Sequence, residues 1–85
     1  MLSNQMRTIG VDEQALSTLK YLASQVATRP LMYGLVQSDV NRWDEYDLEE
    51  RHRALKRAVR RVGSVCPWVR SKPRVMDTLR DLASA

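Results

Sequence analysis

Phenylalanine is absent from this 85-residue chain, and cysteine and histidine occur once each, as Cys66 and His52. One cysteine allows no internal disulfide, and one His with one Cys cannot build a structural zinc site. Glycine and proline number three each, too few for a loop-rich β protein. No apolar run approaches the roughly 18 residues of a membrane span, and no N-terminal segment has the form of a signal peptide. The expectation is therefore a cytoplasmic protein with no membrane contact.

The equipment of catalysis is also missing. There is no glycine-rich phosphate loop. Residues 49–53, EERHR, hold one histidine where the zinc-protease pattern needs two, four apart. Asp44, Glu45, Asp47, Glu49 and Glu50 form an acidic cluster, but a carboxylate metal site also needs a defined loop and neutral oxygen ligands. His52 reads as a hydrogen-bonded core residue and Cys66 as a small buried hydrophobe. The chain is accordingly expected to be no enzyme, with no catalytic residue, no metal and no cofactor.

What is present is helical patterning, clearest from Asp47 to Gly63. Asp47 suits an N-cap, and Glu50 three residues on completes a capping-box pattern. Glu49 and Glu50 lie at the positive end of the helix dipole, and Arg60 and Arg61 at the negative end. Gly63 suits the left-handed position that closes a helix. Leu48, His52, Leu55, Val59 and Val62 recur at +4, +3, +4, +3 and form one apolar seam, widened by Ala54 and Ala58. Arg53, Lys56, Arg57 and Arg60 lie opposite, with Glu49 and Arg53 at favourable i,i+4 spacing.

Around this element the spacing predicts a single domain, 1–85, folded as an all-α bundle of three to five helices over about 12–27, 31–37, 47–62, 64–70 and 73–83. In the first, Asp12 is a candidate N-cap, and Ala15, Leu16, Leu19, Leu22, Ala23, Val26 and Ala27 share a face. Its far side, Ser17, Thr18, Tyr21, Ser24 and Gln25, is polar but uncharged, a candidate second contact surface centred on Tyr21. Pro30 can open the second helix at its first position. Ser38 or Asp39 could cap a short turn that gathers Val40, Trp43 and Tyr46, with Trp43 as a core plug. Residues 1–10 read either as a short face of Leu2, Met6 and Ile9 or as a flexible tail.

Charge is unevenly distributed. Residues 1–47 hold four cations and six anions, whereas residues 48–85 hold ten cations and four anions. From Arg51 to Arg74 there are nine Lys or Arg and no Asp or Glu. A solubilising face usually mixes signs. Arginine outnumbers lysine eleven to three, which suits bidentate phosphate or carboxylate contacts but also follows from a GC-rich genome. The candidate binding surface is Arg53, Lys56, Arg57, Arg60, Arg61, Arg70, Lys72 and Arg74.

The first functional expectation is a nucleic-acid-binding module, DNA or RNA, that uses this arginine-rich surface. A helix-turn-helix variant would take Ser64–Arg70 as first helix, Ser71-Lys72 as turn and Pro73–Ala83 as reader. The alternative is a small regulator, adaptor or inhibitor of the phage or plasmid type, docking the same basic face on an acidic protein surface. Two heptads are short for a free-standing coiled coil, so the 48/52/55/59/62 seam is assigned to the intramolecular core, with a homodimer left open.

Overall fold

The computed structural model describes residues 2–85, with side chains from Gly10 onward. Four α-helices follow one another, α1 Leu2–Gln25, α2 Pro30–Asn41, α3 Leu48–Val65 and α4 Pro73–Ser84. Two 3-10 turns, Trp43–Glu45 and Pro67–Ser71, link α2 to α3 and α3 to α4. The architecture is a small all-α bundle, as the periodicity predicts. α1 is its axis and touches each of the other three helices.

α1 differs from expectation at both ends. It begins at Leu2, running through Gly10 and Val11, so Asp12 caps nothing. The carboxylate instead accepts from Arg51 of α3 at 2.6 Å. The side chains of Leu2, Met6 and Ile9, assigned either to a shared face or to a tail, lie outside the described residues. At the other end the helix stops at Gln25, and a turn closes through Arg29 N–H to the Val26 carbonyl at 2.9 Å. Ala15, Leu19, Leu22, Ala23 and Val26 are buried, while Ala27 is exposed and Leu16 half-buried.

Thr18 corrects the assignment of that helix's outer face, because its side chain is fully buried against α4. Its hydroxyl lies 3.3 Å from that of Thr78. Thr78 spends its proton on the Arg74 carbonyl at 2.7 Å, which leaves Thr18 as the donor between the two hydroxyls. Both polar groups are thereby satisfied inside an apolar contact.

Pro30 opens α2 as predicted, but the helix continues to Asn41. Ser38 and Asp39 therefore start no new element. Val36 and Asp39 face inward, and Trp43, 4% exposed, plugs the core below them. Gly34 sits mid-helix, where glycine costs about 1 kcal/mol relative to alanine.

α3 has the predicted reciprocal cap. Glu50 N–H donates to Asp47 Oδ1 at 2.8 Å, and Asp47 N–H donates to Glu50 Oε1 at 3.1 Å. The core lies under Ala54, Leu55, Ala58 and Val62, so the two alanines mark its centre and Leu48 its exposed edge. Each fully buried Leu or Val contributes about 1.5–3 kcal/mol.

Gly63 does not end α3. The helix passes through it to Val65, and no described residue has a positive φ. Its use is close approach: a Cβ there would collide with the Arg70 side chain, which lies across it. The helix ends at Cys66, where Pro67 disfavours a further helical residue before it. The segment expected as a helix over 64–70 is thus the tail of α3 followed by one 3-10 turn.

Candidate anion-binding face

Helical period puts Arg53, Lys56, Arg57 and Arg60 on the side of α3 that α1 does not cover. The facing elements then decide what each cation meets. Arg53 donates to Glu49 at 2.7 Å, with both side chains largely exposed. That hydrogen bond, and then the Glu49 charge, raise the already high pKa of Arg53. Arg57 reaches across to α2 and donates to Asp39 Oδ1 at 3.3 Å. Asp39 is only 7% exposed, and it also accepts from the Tyr46 hydroxyl at 2.7 Å. This bond, with burial, raises the Tyr46 pKa above its ordinary value.

Lys56 and Arg60 have no carboxylate oxygen within 4.0 Å among the described residues. The same holds for Arg70, which Gly63 allows to fold back over α3. These three cations meet in one shallow cleft of about 270 Å³ between α3, the Pro67–Ser71 turn and α4, floored by Val59 and Leu79. A second shallow depression of about 280 Å³ is lined by Arg53, Lys56, Arg57 and Arg60. Lys56 and Arg60 border both, so the two make one continuous surface.

Five of the eight predicted binding residues are therefore brought together: Arg53, Lys56, Arg57, Arg60 and Arg70. Three are not. Arg61 is half-buried, lines neither depression and stands beside the strip. Lys72 lies over the Tyr21 ring, its Nζ 5.9 Å from the centroid. Arg74 donates to the Ser17 hydroxyl. The Trp68 indole N–H joins the same row, donating to Gln25 Oε1 at 3.1 Å.

Ser17, Tyr21 and Gln25 are four residues apart on α1 and form one stripe. The uncharged face assigned as a second contact surface is thus taken up by the chain's own Arg74, Lys72 and Trp68. The helix-turn-helix arrangement fails for the same reason. Its first helix is a 3-10 turn, and Lys72 and Arg74, at the start of its reader, are turned onto α1.

Arg51, counted in the acid-free run, is a strut. Its side chain is 16% exposed, bonds Asp12, donates to the Trp43 carbonyl at 3.0 Å and stacks 5.5 Å from the Trp43 ring centroid. Its place was readable, since Arg51 is three residues from Leu48 and four from Leu55 on the seam side. Asp39, three residues after Val36, carries the same signal. Val59 and Leu79 became a cleft floor only through the packing of α4.

His52 is half-buried, and among the described residues it makes no side-chain hydrogen bond. It stands beside a depression of about 220 Å³ with Leu48, Glu49 and Leu82, not hydrogen-bonded in the core as expected. Cys66 is buried as expected, its thiol 3.7 Å from the Gln25 carbonyl oxygen. Among the described residues no group of three or more His, Cys, Asp or Glu could hold a metal ion, and no helix is long and apolar enough to cross a membrane. Comparison with protein-family models, with curated proteins and with solved structures gives no match to this chain.

Proposed function

We propose that this chain is a small nucleic-acid-binding protein that tracks a phosphate backbone with the outer face of α3 and the turn that follows it. The observation that carries the reading is the convergence of Lys56, Arg60 and Arg70 on one cleft with no carboxylate among the described residues to neutralise them. An anion arriving there displaces only water and counterions, not an internal partner. The arginines offer paired donors to phosphate oxygens, and Lys56 adds a compact charge. Val59 and Leu79 supply an apolar floor for a sugar edge. Arg53 and Arg57 stand alongside and reach a phosphate only by loosening Glu49 or Asp39.

The test is an anisotropy titration with labelled duplex DNA and single-stranded RNA at two salt concentrations. Each phosphate contact contributes about −0.9 to the slope of log K against log salt on duplex DNA. Replacing Lys56, Arg60 and Arg70 together with glutamine is expected to flatten that slope by about 2 to 3 and leave the fold intact. Binding indifferent to salt, or unchanged in the triple variant, overturns the proposal. If the face instead meets an acidic protein, neither nucleic acid binds at low salt.

A further inference from the structure

We propose that Gly63 is a positioning residue of the anion-binding face: its lack of a side chain is what holds the Arg70 guanidinium over the cleft. This rests on the reading of that cleft as a phosphate site and adds how its third cation comes to be there. Arg70 stands on the Pro67–Ser71 turn, beyond the end of α3. The cleft it lines lies further back along the helix, at Lys56, Val59 and Arg60. Gly63 is four residues after Val59 and three after Arg60, so it shares their side of α3. A side chain reaching back from the turn to those residues crosses Gly63.

The crossing is close. A Cβ at Gly63 would stand 2.9 Å from Arg70 Cγ and 3.1 Å from its Cδ, and nearer still to Nε. Non-bonded carbon atoms settle at about 3.5–4.0 Å, so any side chain at this position pushes the Arg70 stem off the helix. Gly34, also within a helix, has nothing within 4 Å of its Cβ position. Nor does the backbone ask for glycine at 63, since its φ is not positive. Glycine weakens a helix relative to alanine. What Gly63 gives in return is the path for Arg70.

No carboxylate among the described residues holds the Arg70 head, so no ion pair fixes it. The groove over Gly63 confines Cγ, Cδ and Nε instead, before any ligand arrives. A free arginine loses much rotamer freedom when it grips an anion, and a stem already confined loses less. Lys56 and Arg60 hang on α3 directly and reach the cleft without such support. Gly63 therefore acts through Arg70 and touches no phosphate itself.

Two measurements test this. Without nucleic acid, NMR relaxation of the arginine Nε–H groups is expected to show Arg70 more ordered than Arg60, and Gly63→Ala to bring it down to the level of Arg60. In anisotropy titrations against labelled duplex DNA, Gly63→Ala is expected to bind about twofold to tenfold more weakly. The salt slope should flatten by as much as about 0.9. Tm should not fall, because alanine suits a helix better than glycine. Made on top of Arg70→Gln, the same substitution is expected to leave binding unchanged. An Arg70 as mobile as Arg60 in the wild type, an Arg70 order unmoved by Gly63→Ala, a fall in Tm, or an equal loss of affinity with and without Arg70 overturns the proposal. A confined Arg70 in a chain that binds no DNA at low salt upholds the positioning and sinks the phosphate reading alone, so the two failures are told apart.

Discussion

Two sets of cations from the same basic run end in opposite circumstances. Arg51, Lys72 and Arg74 are turned against α1, onto a carboxylate, an aromatic ring and a hydroxyl. Lys56, Arg60 and Arg70 border a cleft floored by Val59 and Leu79, with no counter-charge among the described residues. The residue types are alike, and what differs is the helix each one faces. α1 presents acceptors at regular spacing along Ser17, Tyr21 and Gln25, and draws donors inward. α4 presents hydrocarbon to the cleft and leaves the donors unanswered. An excess of positive charge becomes a binding surface only where the opposite element declines to neutralise it.

The sharpest way to break this division is Arg51→Ala. If Arg51 is structural, its loss strands Asp12, whose Oδ1 is already buried without a hydrogen-bond partner, and removes support from Trp43. The pair is partly exposed, so the expected cost is about 2–4 kcal/mol, a little below that of a fully buried pair. That corresponds to a fall in Tm of roughly 10–30 °C in a domain of this size, measured by calorimetry. Anion affinity well below the new Tm should be unchanged. A variant of normal Tm that has lost anion binding would move Arg51 to the other set.

A smaller effect is expected from the group that occupies Arg57. Tyr46 donates to Asp39, and its pKa is raised. The folded state therefore holds the phenolic proton more tightly than the unfolded chain, where tyrosine ionises near 10. The stabilisation is complete below about pH 10 and fades as pH rises through the higher folded value. Tyr46→Phe should cost about 1 kcal/mol at neutral pH, and the gap to wild type should close in alkali. Urea unfolding at about pH 8, and again at a pH above the ordinary tyrosine value of about 10, measures both. A gap that is constant across this range would remove the hydrogen bond as its cause.

The smallest effect sharpens the comparison from the other side. Glu49 and Arg53 are both exposed, so Glu49→Gln should change stability by no more than about 0.5 kcal/mol. It releases Arg53 into the unpaired set, and the salt slope of anion binding should steepen by as much as about 0.9. An unchanged slope would place Arg53 outside the binding face.

The features readable in the sequence were those settled within a few residues. The reciprocal cap of Asp47 and Glu50, Pro30 at a helix start and the stripe through Leu19, Leu22 and Val26 depend on neighbours in the chain. Gly63 shows the limit. Glycine at a helix end and glycine under a crossing side chain look identical in a string of letters, and the deciding residue, Arg70, lies seven positions on, beyond Pro67. Asp12 has the composition of a cap, yet its partner is thirty-nine residues away. Helical period already groups Arg53, Lys56, Arg57 and Arg60 and sets Arg61 beside them. The placing of Arg70 across α3, and the turning of Lys72 and Arg74 onto α1, followed from how the last third of the chain packs, which no local pattern encodes.

The paired hydroxyls of Thr18 and Thr78 have a consequence for how α4 is seated. Proton direction there runs one way, from Thr18 through Thr78 to the Arg74 carbonyl. A shift of α4 by a single turn would carry Thr78 away and set Val75 or Leu82, the other buried side chains of α4, where the Thr18 hydroxyl now finds its acceptor. Greasy surfaces alone tolerate sliding, whereas this contact works as a detent with one stable notch. Since α4 also carries Leu79, the notch settles which hydrocarbon lies beneath the three uncompensated cations. A contact in the dry interior thereby aligns the exterior.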